Sequence, residues 1–302
     1  MLQLYVRVLT AEYDDRKMKN TAVLLLSTPM PLARKGVVAA ISQFLIAHNG
    51  SVLHSDDHLD SGRDLFLSRL EWDLNGFDIP ISDFEQHFKP LSERYRIHYH
   101  LALSDYRPKI AILVSGHDHC LADLLYRHRA GDLACDIVAI ISNHPTAKPL
   151  ADFHQLPFHL LTNPQDKRAS EQEMLELLGP DLDLIVLARY MQILGPDFVA
   201  QYLLRMINIH HSFLPAFIGA KPYHQAFERG VKLIGATSHY VTAGLDEGPI
   251  IEQDVVRVSH RDTVEEMVSK GRDLEKVVLS RAVRWHLENR VLVYQNKTVV
   301  FV

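Results

Sequence analysis

The stretch Met206-Ile207-Asn208-Ile209-His210-His211-Ser212-Phe213-Leu214-Pro215 decides how the larger part of the chain folds. From Met206 to His210 the pattern is that of a β-strand end, so Asn208 and His210, two positions apart, share a face. A second strand is predicted over 233–241, and just beyond it Asp246 sits in a loop flanked by Gly244 and Gly248. There a carboxylate can be aimed at an imidazole or at a water. An amide can donate to a developing oxyanion, an imidazole can exchange a proton near neutral pH, and a carboxylate can orient and deprotonate a nucleophile. Asn208, His210 and Asp246 are therefore the candidate catalytic residues of a metal-free acyl-transfer site. Each alone has an ordinary reading, as strand-end cap, core histidine and turn former. Their combination carries the chemistry. If the strand persists, His211 points to the opposite face, so only His210 is counted.

Outward from this stretch, fully apolar runs at 110–114, 137–141, 158–161 and 184–187 alternate with helical stretches such as 121–128 and 167–178. Apolar strands between helices imply a mainly parallel sheet covered on both faces, a doubly wound α/β domain over 109–302. Ligands bind such sheets beyond the carboxyl ends of the strands, where Asn208 and His210 fall. After Thr263 a long helix is predicted to about Asn289. Leu274, Val277, Val278, Ala282 and Trp285 stripe one face of it as core packing. A hairpin is predicted at 291–294 and 298–302.

Residues 1–103 read differently. The order is strand 22–27, helix 35–48, strands 51–58 and 64–72, helix 81–93 and strand 96–103, a ferredoxin-like βαββαβ pattern. Val37, Val38, Ile41, Phe44 and Leu45 recur at three- and four-residue steps, with Asn49-Gly50 as the stop. A short strand is predicted at 3–8, and 104–108 is a polar linker.

The 302 residues suggest about two domains, and 47% hydrophobic content supplies ample core. A net charge of -5 with no Lys/Arg block argues against nucleic acid as a partner. No apolar run reaches membrane-spanning length, and residues 1–7 lack the organisation of a signal peptide. The two cysteines, Cys120 and Cys135, have no zinc-motif spacing, and a reducing, cytoplasmic setting is expected.

The order Asn208-x-His210, Ser212-x-Leu214-Pro215, Thr237-x-His239 and Asp246-x-Gly248 resembles that of the folate-dependent formyltransferases. The longer run from Asn208 to Ala226, with 235–241 and 246–251, is similar to one branch, the formyltetrahydrofolate deformylases. That resemblance implies hydrolysis of 10-formyltetrahydrofolate to formate and tetrahydrofolate, in one-carbon metabolism supplying formate for purine synthesis. It implies the folate as substrate, no further cofactor and no metal. It also implies supporting roles for Ser212 and His239, although His239 equally suits ordinary packing. Segment 188–194 matches the family's pterin-cleft lining, so Met191, Ile193 and Leu194 become apolar walls with Gln192 beside them. Val241, Thr242, Ala243 and Gly244 match the loop whose backbone reads the pterin edge. Arg189 is either a ligand for the glutamyl carboxylate or a solvated strand-end arginine. The first third resembles the ACT modules joined to such deformylases, which implies a homo-oligomer, dimer or tetramer, and an amino-acid effector. Ala33 stands where those modules place an acid, so a module serving assembly alone is kept as an equal reading.

Acceptor choice turns on Val114-Ser-Gly-His-Asp-His-Cys-Leu121, where one glycine and three bulky polar side chains make no phosphate cradle. Water is the implied acceptor rather than glycinamide ribonucleotide. Among the 18 histidines, His117-Asp-His-Cys120 and His98-Tyr-His100 contain metal-ligand types in spacings too short and common to carry a metal assignment. Two other functions share these residues: formyl transfer to a small amine, and a non-catalytic folate-binding regulatory subunit.

Overall fold

The computed structural model describes residues 20–216 and 222–302. The strand expected at 3–8 lies outside them. Contacts divide the chain into two compact units. The first contains the described residues up to Arg107, together with Glu288–Leu292 and Val299–Val302; the second is Pro108–Leu287 with Val293–Thr298. The segments Glu288–Leu292 and Val299–Val302, within the expected range 109–302, group with the first unit. There the first unit's Arg69 donates from Nε to the Asn289 carbonyl at 3.0 Å, and the Phe301 amide donates to the Arg290 carbonyl at 2.9 Å.

In the first unit β1 (Thr21–Pro29), α1 (Met30–Ala33), α2 (Val37–Ala47), β2 (Ser51–Asp60), β3 (Leu65–Asp73), α3 (Phe84–Tyr95) and β4 (His98–Leu103) follow the expected order. The sheet is antiparallel, ordered β2-β3-β1-β4. The first helix begins at Val37 rather than at 35 because Gly36, at φ +95°, breaks it from the short α1 turn. The second is preceded by a 3-10 turn, Ile81–Asp83. Trp72, Phe84 and Phe88 form the aromatic centre of the core, with ring centroids 5.7 and 5.2 Å apart along the stack. Along β2 every position from Ser51 to Leu59 is exposed.

The second unit runs β5 (Lys109–Val114), α4 (His119–Ala130), β6 (Asp136–Ser142), α5 (Lys148–Phe153), β7 (Phe158–Leu160), α6 (Lys167–Leu178), β8 (Leu184–Leu187), α7 (Pro196–Gln201) and β9 (Met206–His210). It continues through α8 (Pro222–Arg229), β10 (Leu233–Tyr240), β11 (Ile250–Arg257) and α9 (Val264–Leu287). A two-stranded ribbon pairs β12 (Val291–Tyr294) with β13 (Lys297–Val300). The seven-stranded sheet is ordered β11-β10-β9-β8-β5-β6-β7. Strands β5 to β9 are parallel; β10 is antiparallel to β9 and to β11. Ile110 to Val114 and Leu184 to Leu187 are buried throughout, as strands covered on both faces must be. After β5 the chain lays β6 and β7 on one side, then returns to lay β8 and β9 on the other. That reversal opens a crevice at the carboxyl ends of β5 and β8, where ligands of open α/β sheets bind.

The buried face of α9 differs from the apolar stripe read in the sequence. Val278 and Ala282 are buried as expected, but Leu274, Val277 and Trp285 are half-buried. The buried residues of α9 are Met267, Gly271, Glu275, Val278, Leu279, Ser280, Ala282 and Val283. Steps of three and four hold throughout. A glycine and a carboxylate occupy two of its turns, which a search for apolar periodicity passes over.

Candidate active site

Pairing of β9 with β10 builds the site. Thr237 lies opposite His210 and His239 opposite Asn208. Directly opposed residues of an antiparallel pair share a face, which gathers Asn208, His210 and His239 on one side of the sheet. The strand after β9 runs backwards, so β10 ends beside the start of β9, where the Val241 amide donates to the Met206 carbonyl at 2.9 Å. The five steps from Val241 to Asp246 then carry the chain back along β9 to reach His210. Asp246 adopts φ +56°, a left-handed conformation that aspartate tolerates better than most residues. Gly248 makes the return fit: a Cβ there would overlap the Tyr240 carbonyl oxygen.

Asp246 receives two imidazoles. His210 Nδ1 lies 3.1 Å from Oδ2, and His239 Nε2 lies 3.4 Å from Oδ1. Burial works to raise the Asp246 pKa, but the contacts from His210 and His239 outweigh it and hold the carboxyl well below its usual range. His239 is buried, with Nδ1 donating to the Tyr240 carbonyl at 2.9 Å. In its neutral form Nε2 accepts from Asn208 Nδ2 at 3.3 Å; once protonated it donates to Asp246. His210 Nε2 has no partner among the described residues, and the ring borders the cavity.

That cavity, ≈ 400 Å³, is lined by Asn208, His210, His239 and Asp246, and by each residue read as folate-binding: Arg189, Met191 to Leu194, and Val241 to Gly244. Met191 and Ile193 stand 57% and 62% exposed, apolar surface open to a flat ligand. Ser212 does not border the cavity. Its hydroxyl donates to the Ala216 carbonyl at 2.7 Å, while its own carbonyl accepts from Thr237 Oγ1 at 2.9 Å, so it fixes the turn that ends β9. Tyr190 and Leu245, from the segments read as cleft and loop, line it too; Leu187, Val199, Ile209 and His211 also line the space and were not read from the sequence. For His211 the expectation of an opposite face is corrected: the strand stops at His210, and both rings border the cavity with centroids 5.3 Å apart. Burial and the nearby Arg189 charge lower the His211 pKa to about 4.

Arg189 is not a solvated strand-end residue. Its side chain is 10% exposed, with Nε 3.5 Å from Glu275 Oε2. Glu275, His119 and Cys120 place one ligand-type atom each within 4.8 Å. Glu275 is already bonded to His119 and Tyr223, and burial pushes the Cys120 thiol well up. Among the described residues no helix is long and apolar enough to cross a membrane.

A parallel sheet with an antiparallel extension, Asn208 and His210 on β9 facing Asp246 on the loop after β10, and an apolar cleft beside them accord with a formyl transferase. Residues 108–283 match that family. A formyltetrahydrofolate deformylase of Synechocystis sp. is 53% identical over 93% of this chain and 98% of its own length, and that of Bacillus subtilis is 48% identical over 96% of each. The crystal structure of a formyltetrahydrofolate deformylase from Pseudomonas syringae pv. tomato superposes with a TM-score of 0.90, at 46% identity over 95% of this chain and 96% of that one. The chain belongs to the formyltetrahydrofolate deformylases.

Proposed function

We propose that this chain hydrolyses 10-formyltetrahydrofolate to formate and tetrahydrofolate, with water as the formyl acceptor and Asn208, His210 and Asp246 as its catalytic residues. The observation that carries the assignment of roles is the division of labour within His210. Nδ1 is committed to Asp246, while Nε2 is left without a partner among the described residues at the cavity. A carboxylate held so far down is a weak base, so Asp246 works by orienting His210 and balancing the charge it acquires. His210 Nε2 takes a proton from water as the water oxygen attacks the formyl carbon. The resulting oxyanion is stabilised by an Asn208 N–H and the protonated His210. Return of that proton to N10 accompanies cleavage of the C–N bond, giving formate and tetrahydrofolate. No step uses a metal.

Met191 to Leu194 and the Val241 to Gly244 backbone are assigned to the pterin, and the reaction is placed in the cytoplasm. A homo-oligomer, dimer or tetramer, is supported by the exposed β2 edge, which carries Val52, Leu53 and Leu59 at 38%, 46% and 55% exposure. An amino-acid effector has no carboxylate at Ala33 to hold its amine, and assembly is the role favoured for this unit. Turnover in ¹⁸O-labelled water tests the acceptor. Label in the formate supports hydrolysis; a formylated amine in place of formate, or no turnover without an amine, supports transfer.

A further inference from the structure

Glu275 interrupts the apolar face of α9. It is 1% exposed, one turn from Gly271 and three residues from Val278. A buried carboxylate stays ionised only when bonded, and three elements converge to do so. The Tyr223 hydroxyl on α8 donates to Oε1 at 2.8 Å, His119 Nε2 at the start of α4 lies 2.8 Å from Oε2, and Arg189 Nε lies 3.5 Å from Oε2. Burial works to raise the Glu275 pKa, yet His119, Arg189 and Tyr223 together keep it below its usual value. Gly271 makes room for this arrangement, since a Cβ there would overlap the Tyr223 hydroxyl. An apolar side chain at 275 would serve packing alone, so a paired charge here points to the neighbouring site.

The cluster reaches the cavity through two residues. Arg189 lines it, with its backbone at φ +64° and its Nε and Nη1 without a hydrogen-bond partner among the described residues. Strain of this kind persists where the surroundings impose it. His211 also lines the cavity, its ring 6.2 Å from Tyr223 and 5.3 Å from His210. We propose that Glu275 is a positioning residue for deformylation: through Arg189 and Tyr223 it fixes the His211 wall of the cavity, against which the attacking water is seated. The inference rests on the roles given above to Asn208, His210 and Asp246. Without the carboxylate, Arg189 loses its counter-charge and the wall loosens. Misplacing one reactant slows the chemical step, while the folate, assigned above to Met191 to Leu194 and the Val241 to Gly244 backbone, binds as before.

The test is formate release by full-length Glu275→Gln, Arg189→Met, the double variant and Tyr223→Phe, with Asp246→Asn as reference. For Glu275→Gln, kcat should fall about tenfold or more while KM for 10-formyltetrahydrofolate stays within about twofold. Because Glu275 acts through Arg189, the double variant should be no slower than the slower single one. Tyr223→Phe should lose a few-fold in kcat. A Glu275→Gln enzyme within about twofold of the unaltered one, or losses that multiply in the double variant, overturns the proposal. Should Glu275→Gln not fold, normal kcat in both Arg189→Met and Tyr223→Phe overturns it. Normal turnover by Asp246→Asn would instead strike at the catalytic roles themselves.

Discussion

His210 Nδ1 and Asp246 Oδ2 lie 3.1 Å apart although 36 residues and an antiparallel strand separate them. The contact fixes which ring nitrogen is left for chemistry. Asp246→Asn preserves shape but removes the charge that balances a protonated His210, and His210→Asn removes the proton carrier. Each should lower kcat by roughly 10² to 10⁴, measured as formate release under saturating folate. Near-normal turnover in either variant rejects the proton-transfer assignment.

In the proposed mechanism Asn208 only donates. An oxyanion donor contributes roughly 3 to 4 kcal/mol to the transition state, so Asn208→Ala should lower kcat by about 10²-fold or more with little change in KM. A loss under tenfold in a folded variant excludes it from the oxyanion site.

Gly248 tests the path of the loop rather than the chemistry. Gly248→Ala drives a methyl into the Tyr240 carbonyl, so the loop must shift and carry Asp246 away from His210. Activity should drop by about two orders of magnitude, since small displacements from reactive geometry are costly. The rest of the fold should remain, as judged by circular dichroism. Full activity would mean that the loop takes another path.

His211 predicts a pH dependence of stability. Its folded pKa, about 4, lies below the ordinary value of 6.5, so the unfolded chain binds more protons between those values. Stability therefore rises with pH through this window, and the imidazole penalises folding increasingly as pH falls from 6.5 towards 4. Asp246, depressed in its folded state, adds to acid loss only below the ordinary carboxylate range. His211→Asn should flatten the dependence of the urea midpoint on pH between 6.5 and 4. An unchanged slope would show that His211 is not held neutral.

Much of this was legible because local patterns and tertiary structure agree. Apolar runs between helices gave β5, β6, β7 and β8, and two-residue spacing placed Asn208 and His210 together. The strand β11 was not read, because its Ile250 to Arg257 sequence mixes charges with apolar residues in the manner of an edge strand. His211 was misplaced because strand alternation was carried one residue beyond the point where the chain turns. Glu275 was missed for a deeper reason. A charged residue inside an apolar stripe looks like a solvated position, and only the convergence of Tyr223, His119 and Arg189 from distant segments shows otherwise. The link between Asp246 and His210 was one of two readings of the Gly-flanked loop, imidazole or water; the returning path that makes it, with its left-handed Asp246 and its close-packed Gly248, needed three dimensions.

The most direct test of the central claim is release of formate from 10-formyltetrahydrofolate by metal-stripped protein with no amine present. Formate and tetrahydrofolate should appear in equal amounts, at a rate unchanged by added metal ions. No release, or release that depends on an added amine or metal, would contradict a hydrolysis carried by Asn208, His210 and Asp246.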